Sequence, residues 1–521
     1  MLRDPGISDL DWEHTPLAVR TTLFSLRHQL RLLEIRCSAY QHEVITLRQA
    51  ATQFSALKIQ LASLEKELAI LRKQAIQVED LKAEINELKE RLGQNSRNSS
   101  RPPSSDPPSS KVKPPSKPRS RNQGAQKGHE GRSRPLKPIN EVDHVIELKP
   151  QDCTQCGNPL TGDDPDPSRH QVSEIPCVKA EVTEYRKHSL RCASCGARNN
   201  ADWPIEMARG SFGPRVQATI GYLTGRLGAS HRDVTEAMEV LFGLDVSLGS
   251  ISAIQEQVSN RLGDPVAKAQ QFVTQQKAQY VDETGWPEGH KQKWLWVNAT
   301  RDVTVFQVLG GRSSEDAKKV IDESAKGIVT SDRYSAYCWL EARRRQICWA
   351  HLARDFQAMV DRGGESQRIG KGLLKQVKRL FELWHKLCAG DITRDEFREA
   401  MRPVELKVKR LLEAGAQSEQ KKTGGTCQNI LKVEQSLWTF VRVEGVEPTN
   451  NGAERALRRA VLWRKKSLGT PSEAGSLFVG RILTAVTSLR QQGRYVLEYL
   501  SHACSAALGP QASRSLIPDS S

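Results

Sequence analysis

The stretch AQYVDETGW, residues 278–286, decides how the larger part of this chain is read. Its β-branched and aromatic residues match those of KWLWVNAT (293–300) and TVFQVLG (304–310), which follow closely. Three short strands are predicted. A helical piece comes next, SSEDAKKVIDES (313–324), and then GIVTSDRYSAY (327–337), a buried-looking strand that ends in Asp332. Strands mixed with helices predict an α/β sheet. Asp282 and Asp332 both lie at a strand's end or just past its middle. If their strands are neighbours, the two carboxylates share one site.

A third acid lies far downstream, in EPTNNGAERALRRAVLWRKKS (447–467). Pro448, Thr449 and Asn450 end a loop and are predicted to cap a helix. Glu454, Leu457 and Val461 recur at three and four, which sets Glu454 on the apolar stripe of that helix. A carboxylate on an inward face is costly unless it binds something. Arg455, Arg458, Arg459, Arg464, Lys465 and Lys466 surround the stripe, as a DNA-contacting face would require. The plain alternative is a salt-bridged helix surface. Three carboxylates on one sheet have a physical use: two Mg²⁺ ions (or Mn²⁺) about 4 Å apart can clamp an in-line phosphoryl displacement. Among 61 acids the spacing alone is a weak pattern, and its contexts carry the weight.

Upstream of the sheet, residues 211–265 read as short helices. Ser230 is predicted to cap HRDVTEAMEV (231–240), which breaks at Phe242-Gly243 before LDVSLGSISAIQEQVSNRL (244–262). Helix, short turn and helix fit a helix-turn-helix DNA-binding module, and fit nearly as well a hairpin that only packs. Further upstream stand QDCTQCGNPL (151–160) and RCASCGARNN (191–200), separated by 35 residues between Cys156 and Cys192. Cys153, Cys156, Cys192 and Cys195 offer four thiolates in two CxxCG pairs, the ligand set of a structural tetrahedral Zn²⁺. A redox CxxC is the competitor, but it needs one pair and a βαβ context. Cys177 lies between the pairs without a partner.

From Gln94 to Lys137 the chain turns to Ser, Pro, Asn, Arg and Lys, with eleven Lys/Arg against two acids. Such a segment cannot bury enough apolar surface to fold, and it can track phosphates through charge alone. It holds +9 of the formal net charge of +16, and the sequence pI near 9.4 favours a polyanionic partner such as nucleic acid. Before it, Leu57, Leu61, Leu64, Leu68, Leu71, Ala75 and Val78 alternate by four and three, and the pattern resumes at Leu81, Ile85, Leu88 and Leu92. This is a coiled-coil heptad with a three-residue skip, predicting a zipper that pairs protomers. The upstream row Leu23, Leu26, Leu30 and Leu33 is an alternative partner within the chain.

The N-terminus lacks the basic-then-apolar order of a signal peptide, and no stretch has the apolar length to cross a bilayer. Together with eleven Cys, an odd count, this predicts an intracellular protein with reduced thiols. GGESQRIGKG (363–372) is one residue too long in spacing for a phosphate loop, and Gly follows its Lys371.

VDETGW, TSDRYSAY, CWAHLARDF and PTNNGAERALR, in that order, resemble the transposases of the bacterial insertion-sequence family sixty-six. The resemblance covers most of the chain. It implies an α+β multidomain protein: leucine zipper (18–93), basic linker (94–138), zinc-binding domain (139–206), helical module (207–270), RNase-H-like DDE domain (271–500) with a helical insertion (365–445), and a tail (501–521). It implies Asp282, Asp332 and Glu454 as the catalytic triad. It also implies metal-dependent DNA cleavage and strand transfer on element ends and target DNA, a homodimer or higher oligomer, accessory proteins of the same element, and a cytoplasmic, nucleoid-associated location. Cys348-x2-His351 resembles a Cys/His signature beside some DDE sites, but a buried core Cys and a satisfied His are the plainer reading. Thr484-Ala485-Val486 departs from the family's Thr-Ala-Lys run. A catalytically inactive DNA-binding regulator and a structure-specific nuclease are the competing functions on this scaffold.

Overall fold

The computed structural model describes residues 6, 8–99, 106, 134–204, 210–506 and 514–518; most of the basic linker lies outside them. The chain divides into two units, Met1–Gln94 and Asn95–Ser521.

The first unit is almost entirely helix. A short α1 (Asp9–His14), capped by Ser8, precedes α2 (Leu17–Leu92). The 76 residues of α2 contain neither Gly nor Pro, so nothing interrupts the i→i−4 ladder over about 114 Å. Pro16 and Gly93 bound it. Both leucine rows therefore lie on one continuous helix, and the alternative of an upstream helix folding back on the heptads is corrected. Leu57, Leu61, Leu64, Leu68 and Leu71 are all exposed.

In the second unit, two short antiparallel strands, β1 (Ser189–Arg191) and β2 (Arg198–Asn200), flank the second CxxC pair. Four helices follow: α3 (Pro214–Gly225), α4 (His231–Phe242), α5 (Leu248–Arg261) and α6 (Gly263–Thr274). As the sequence predicts, Ser230 caps α4 in a reciprocal capping box with Asp233, and Gly243 ends it in the left-handed conformation. These helices are not a free-standing module. Ile220, Ile251, Val258 and Leu262 share one core with Phe478, Ile482, Leu489 and Leu500 from the far end of the chain.

The sheet is built from β3 (Ala278–Glu288), β4 (Lys291–Ala299), β5 (Thr304–Leu309), β6 (Ile328–Ser331) and β7 (Arg345–Ile347), with α7 (Ser314–Val320) between β5 and β6. The spatial order is β5-β4-β3-β6-β7; β3, β4 and β5 form an antiparallel meander, and β6 and β7 run parallel to β3. The first four strands were legible in the sequence, whereas three-residue β7 was not.

After β7 come α8 (Trp349–Asp361), α9 (Gly364–Ala389), α10 (Arg394–Ala416), α11 (Lys421–Leu431) and α12 (Thr439–Arg442). They enclose their own core of Leu352, Phe356, Leu373, Leu380, Phe397, Val408 and Phe440, as the predicted helical insertion requires. The chain then returns to the sheet through α13 (Asn451–Ser467) and α14 (Glu473–Gln491), and ends in α15 (Val496–Ala506). Trp286, Val297 and Phe306 of the sheet pack on Ala453, Leu457, Ala460 and Leu483 of α13 and α14.

Helix α14 also closes the sheet's open side. β5 is an edge strand, whose unpaired backbone groups need partners. Thr484 Oγ1 accepts the Phe306 N–H at 2.9 Å, and Ser488 Oγ accepts the Thr304 N–H at 3.0 Å. A Cβ at Gly480 would stand 3.0 Å from the Phe306 carbonyl, so the close approach depends on that glycine. Part of the expected tail is ordered against the body: residues 501–506 continue α15, and Leu516 is fully buried, with its carbonyl accepting from Gln492.

Candidate metal centre

Side chains alternate across β3, and this sorts its two adjacent acids. Tyr280, Asp282 and Trp286 face α13, while Val281 and Glu283 face the opposite core with Tyr337 and Ala317. Glu283 is fully engaged there. It accepts from Arg312 Nε at 2.7 Å and from the Tyr337 hydroxyl, and its side chain is 1% exposed. Among the described residues, Asp282 accepts only from the neighbouring Glu283 N–H, at 2.9 Å.

The β3–β6 register pairs Tyr280 with Thr330. Continued by two residues, it sets Asp332 beside Asp282 on the same face. Asp332 follows the last residue of β6 and is fixed by its own turn, accepting the Tyr334 N–H on Oδ1 at 2.9 Å. Its carbonyl accepts from Arg345 Nη2 at 2.8 Å. Burial pushes the Asp282 carboxyl well above the ordinary range; the Glu283, Asp332 and Glu454 charges push in the same direction. A concentration of negative charge with too few donors suits a divalent cation.

Glu454 enters from the first turn of α13. Asn450 stands at the N-cap position as predicted, but its side chain makes no cap bond. Instead its Nδ2 donates to the Val281 carbonyl at 2.8 Å, and its backbone N–H points at Cys348 Sγ at 3.2 Å. One asparagine thus ties the start of α13 to β3, one residue before Asp282, and to the start of α8. Its place in the sequence indicates a cap only.

The structure places Glu454 near Asp282 and nearer still to α8. Its Oε1 lies 3.7 Å from His351 Nδ1, and its Oε2 lies 3.8 Å from an Arg354 nitrogen. Among the described residues, the group of potential ligand atoms lying within 4.8 Å of one another is Cys348, His351 and Glu454; the three acids Asp282, Asp332 and Glu454 do not close to that distance. The expectation of a satisfied histidine is corrected, since among the described residues His351 Nδ1 has no hydrogen-bond partner, and neither has Glu454 Oε1. Cys348 is buried as expected. Burial pushes its thiol up to about 11.

The CxxC pairs form two matching turns. The Cys153 N–H donates to the Asn158 carbonyl and the Gly157 N–H to the Cys153 carbonyl; Cys192, Ala197 and Gly196 repeat the pattern, with both glycines at φ 74°. Backbone N–H groups of Gln155 and Cys156 lower the Cys153 thiol, and those of Cys195 and Ser194 lower the Cys192 thiol. Each turn fits half of a tetrahedral zinc site. The four sulfurs do not converge into one group in this structure.

The six basic residues of α13 divide. Arg455, Arg458 and Lys465 are exposed. Arg464 turns inward, donating to Thr284 Oγ1 at 2.9 Å and to the Gly285 carbonyl. Arg459 donates to the Arg226 carbonyl, and Lys466 pairs with Asp233 at 3.4 Å. No described helix is long and apolar enough to cross a membrane.

Two proteins of Sinorhizobium fredii resemble this chain, both uncharacterized. Protein y4qI is 25% identical over 261 residues, which are 43% of this chain and 46% of y4qI. Protein y4hP is 22% identical over 388 residues, 67% of this chain and 69% of y4hP. The aligned region thus spans under half of y4qI and about two thirds of y4hP. Residues 47–135 match a family of unknown function, DUF6444. Residues 209–477, just over half of the chain, run from before α3 into α14 and match the Transposase IS66 family, and the chain belongs to that family.

Proposed function

We propose that the protein is a DDE transposase that cleaves DNA at the ends of an insertion sequence and joins the freed 3′-OH to target DNA. Asp282, Asp332 and Glu454 are its catalytic carboxylates. The observation that supports this reading is the placing of two acids on adjacent parallel strands and a third on the helix packed on the same face, near enough that the Asp332 and Glu454 charges both push the Asp282 carboxyl up, inside the family-matched segment. The strand order, a three-stranded meander extended by two parallel strands, supports an RNase-H-like catalytic domain.

Mg²⁺ held by these carboxylates would supply the charge that clamps an in-line displacement at phosphorus. The chain's own residues supply position. Asp282 is held on a central strand, Asp332 by its turn, and Glu454 by a helix that Asn450 ties to β3. Arg312 and Tyr337 keep Glu283 on the opposite face, which leaves Asp282 as the acid of the VDETGW stretch that reaches the site. Water and then a DNA 3′-OH are the nucleophiles, so no Ser or Tyr of the protein is required. Exposed Arg455, Arg458 and Lys465 supply phosphate contacts, with Arg459 and Lys466 beside them; Arg464 anchors α13 to β3 instead. Each CxxC turn would supply two thiolates to a structural Zn²⁺ if the pairs came together, and α2 pairs two or more protomers.

The test is Mg²⁺-dependent joining. Full-length protein is mixed with pre-nicked DNA from the ends flanking its own reading frame and with a target plasmid, beside Asp282→Asn. Joined product with wild type alone supports the reading. Cleavage without joining would identify a nuclease, DNA binding without either a regulator, and equal joining by both proteins would refute the triad.

A further inference from the structure

His351 Nδ1 and Glu454 Oε1 are each shielded from solvent without a hydrogen-bond partner, yet they face each other at 3.7 Å. That gap is too long for a hydrogen bond. It is close to the spacing of two ligands on one ion: bonds of about 2.0–2.1 Å in a tetrahedron set an imidazole nitrogen and a carboxylate oxygen about 3.4 Å apart. Cys348 Sγ completes the group within 4.8 Å.

The geometry points to a cation site formed by Cys348, His351 and Glu454, on the α8 side of the proposed triad. Its donors are sulfur, nitrogen and oxygen. Such a set selects a borderline ion such as Zn²⁺ or Co²⁺ over Mg²⁺, which prefers oxygen donors alone. Cys348 and His351 stand three residues apart across the first turn of α8, so one helical turn presents both to Glu454. The Cys348 backbone is bonded to Ser331, the residue before Asp332, and the next residue, Trp349, donates to the Pro448 carbonyl. The rest of the His351 and Glu454 side chains keeps 16% and 30% exposure. The two halves of the proposed catalytic centre thereby differ in chemistry. Asp282 and Asp332 offer oxygen only; Glu454 is shared with a softer pocket. The inference rests on the transposase reading only through the role of Glu454.

Co²⁺ titration of the full-length protein tests it, read as thiolate-to-cobalt charge-transfer absorption. The protein is first stripped of metal with a chelator, and wild type is compared with Cys348→Ser, so that any contribution of the CxxC pairs cancels. A saturable difference band is expected. His351→Gln keeps the thiol and should weaken Co²⁺ at least about tenfold, since even outer-shell losses at metal sites reach that size. A flat difference spectrum, or unchanged Co²⁺ affinity in a folded His351→Gln, would overturn the site and leave a buried cysteine beside a His–Glu pair. Joining assayed in parallel separates the two proposals. Joining without the band removes the cation site alone, and the band without joining removes the transposase reading alone.

Discussion

Helices α2 and α9 carry the same kind of pattern and end in opposite situations. In α2, leucines recur at three and four, and the heptad leucines from Leu57 to Leu71 are all exposed. In α9, Ile369, Leu373, Val377 and Leu380 recur in the same way and are buried against α8, α10 and α11. Amphipathic periodicity states only that a stripe must be covered; whether the same chain covers it depends on what else folds nearby. The body covers its stripes within the chain, whereas the α2 stripe stays exposed, and the proposed zipper would cover it with another copy of the chain. Association and chemistry should therefore separate under mutation.

The largest effect falls on the body. Asp282→Asn should lower joining at least about 10³-fold, because a cation at such a centre supplies several kcal/mol. Light scattering should show the oligomer unchanged; a loss of assembly would break the division. Conversely, Leu64→Lys with Leu71→Lys keeps a good helix former while removing two adjacent zipper contacts. Each leucine contributes about 1.5–3 kcal/mol when buried, so dimer dissociation measured by sedimentation equilibrium should weaken about 10²-fold or more, with the thermal unfolding of the body unmoved. Equal association in the variant would refute the zipper.

Within the body, Thr484→Val keeps the side-chain shape but strips the Phe306 N–H of its acceptor on the edge strand. A buried donor without a partner costs about 1–3 kcal/mol, which urea unfolding would read as a lower midpoint. The smallest effect is a gain. The Asp282 carboxyl is raised by burial first, and then by Glu283 and Asp332. Its contribution to stability is full below the unfolded pKa of about 4 and is lost as pH rises through the raised folded value. Asp282→Asn should therefore raise Tm by roughly 2 °C at pH 7, and the gain should vanish near pH 4. A pH-independent difference would contradict the crowding of carboxylates around Asp282.

The sequence by itself determined what neighbours along the chain can encode. The absence of Gly and Pro made α2 continuous, Ser230 and Gly243 bounded α4, and the β-branched runs marked four of the five strands of the large sheet. Residue order and local motifs were enough to indicate the family, now shown by the match over 209–477, and to nominate Asp282, Asp332 and Glu454. Tertiary structure decided what depends on contacts between distant residues. It turned Arg464 inward, used Asn450 as a tie rather than a cap, and merged the helices before β3 with the last helices into one core. It also brought His351 to Glu454 across 103 positions of sequence. Helix caps and strand alternation are settled within a few residues by backbone geometry, whereas the partner of a buried side chain is settled only when separate elements compete for the same interior space.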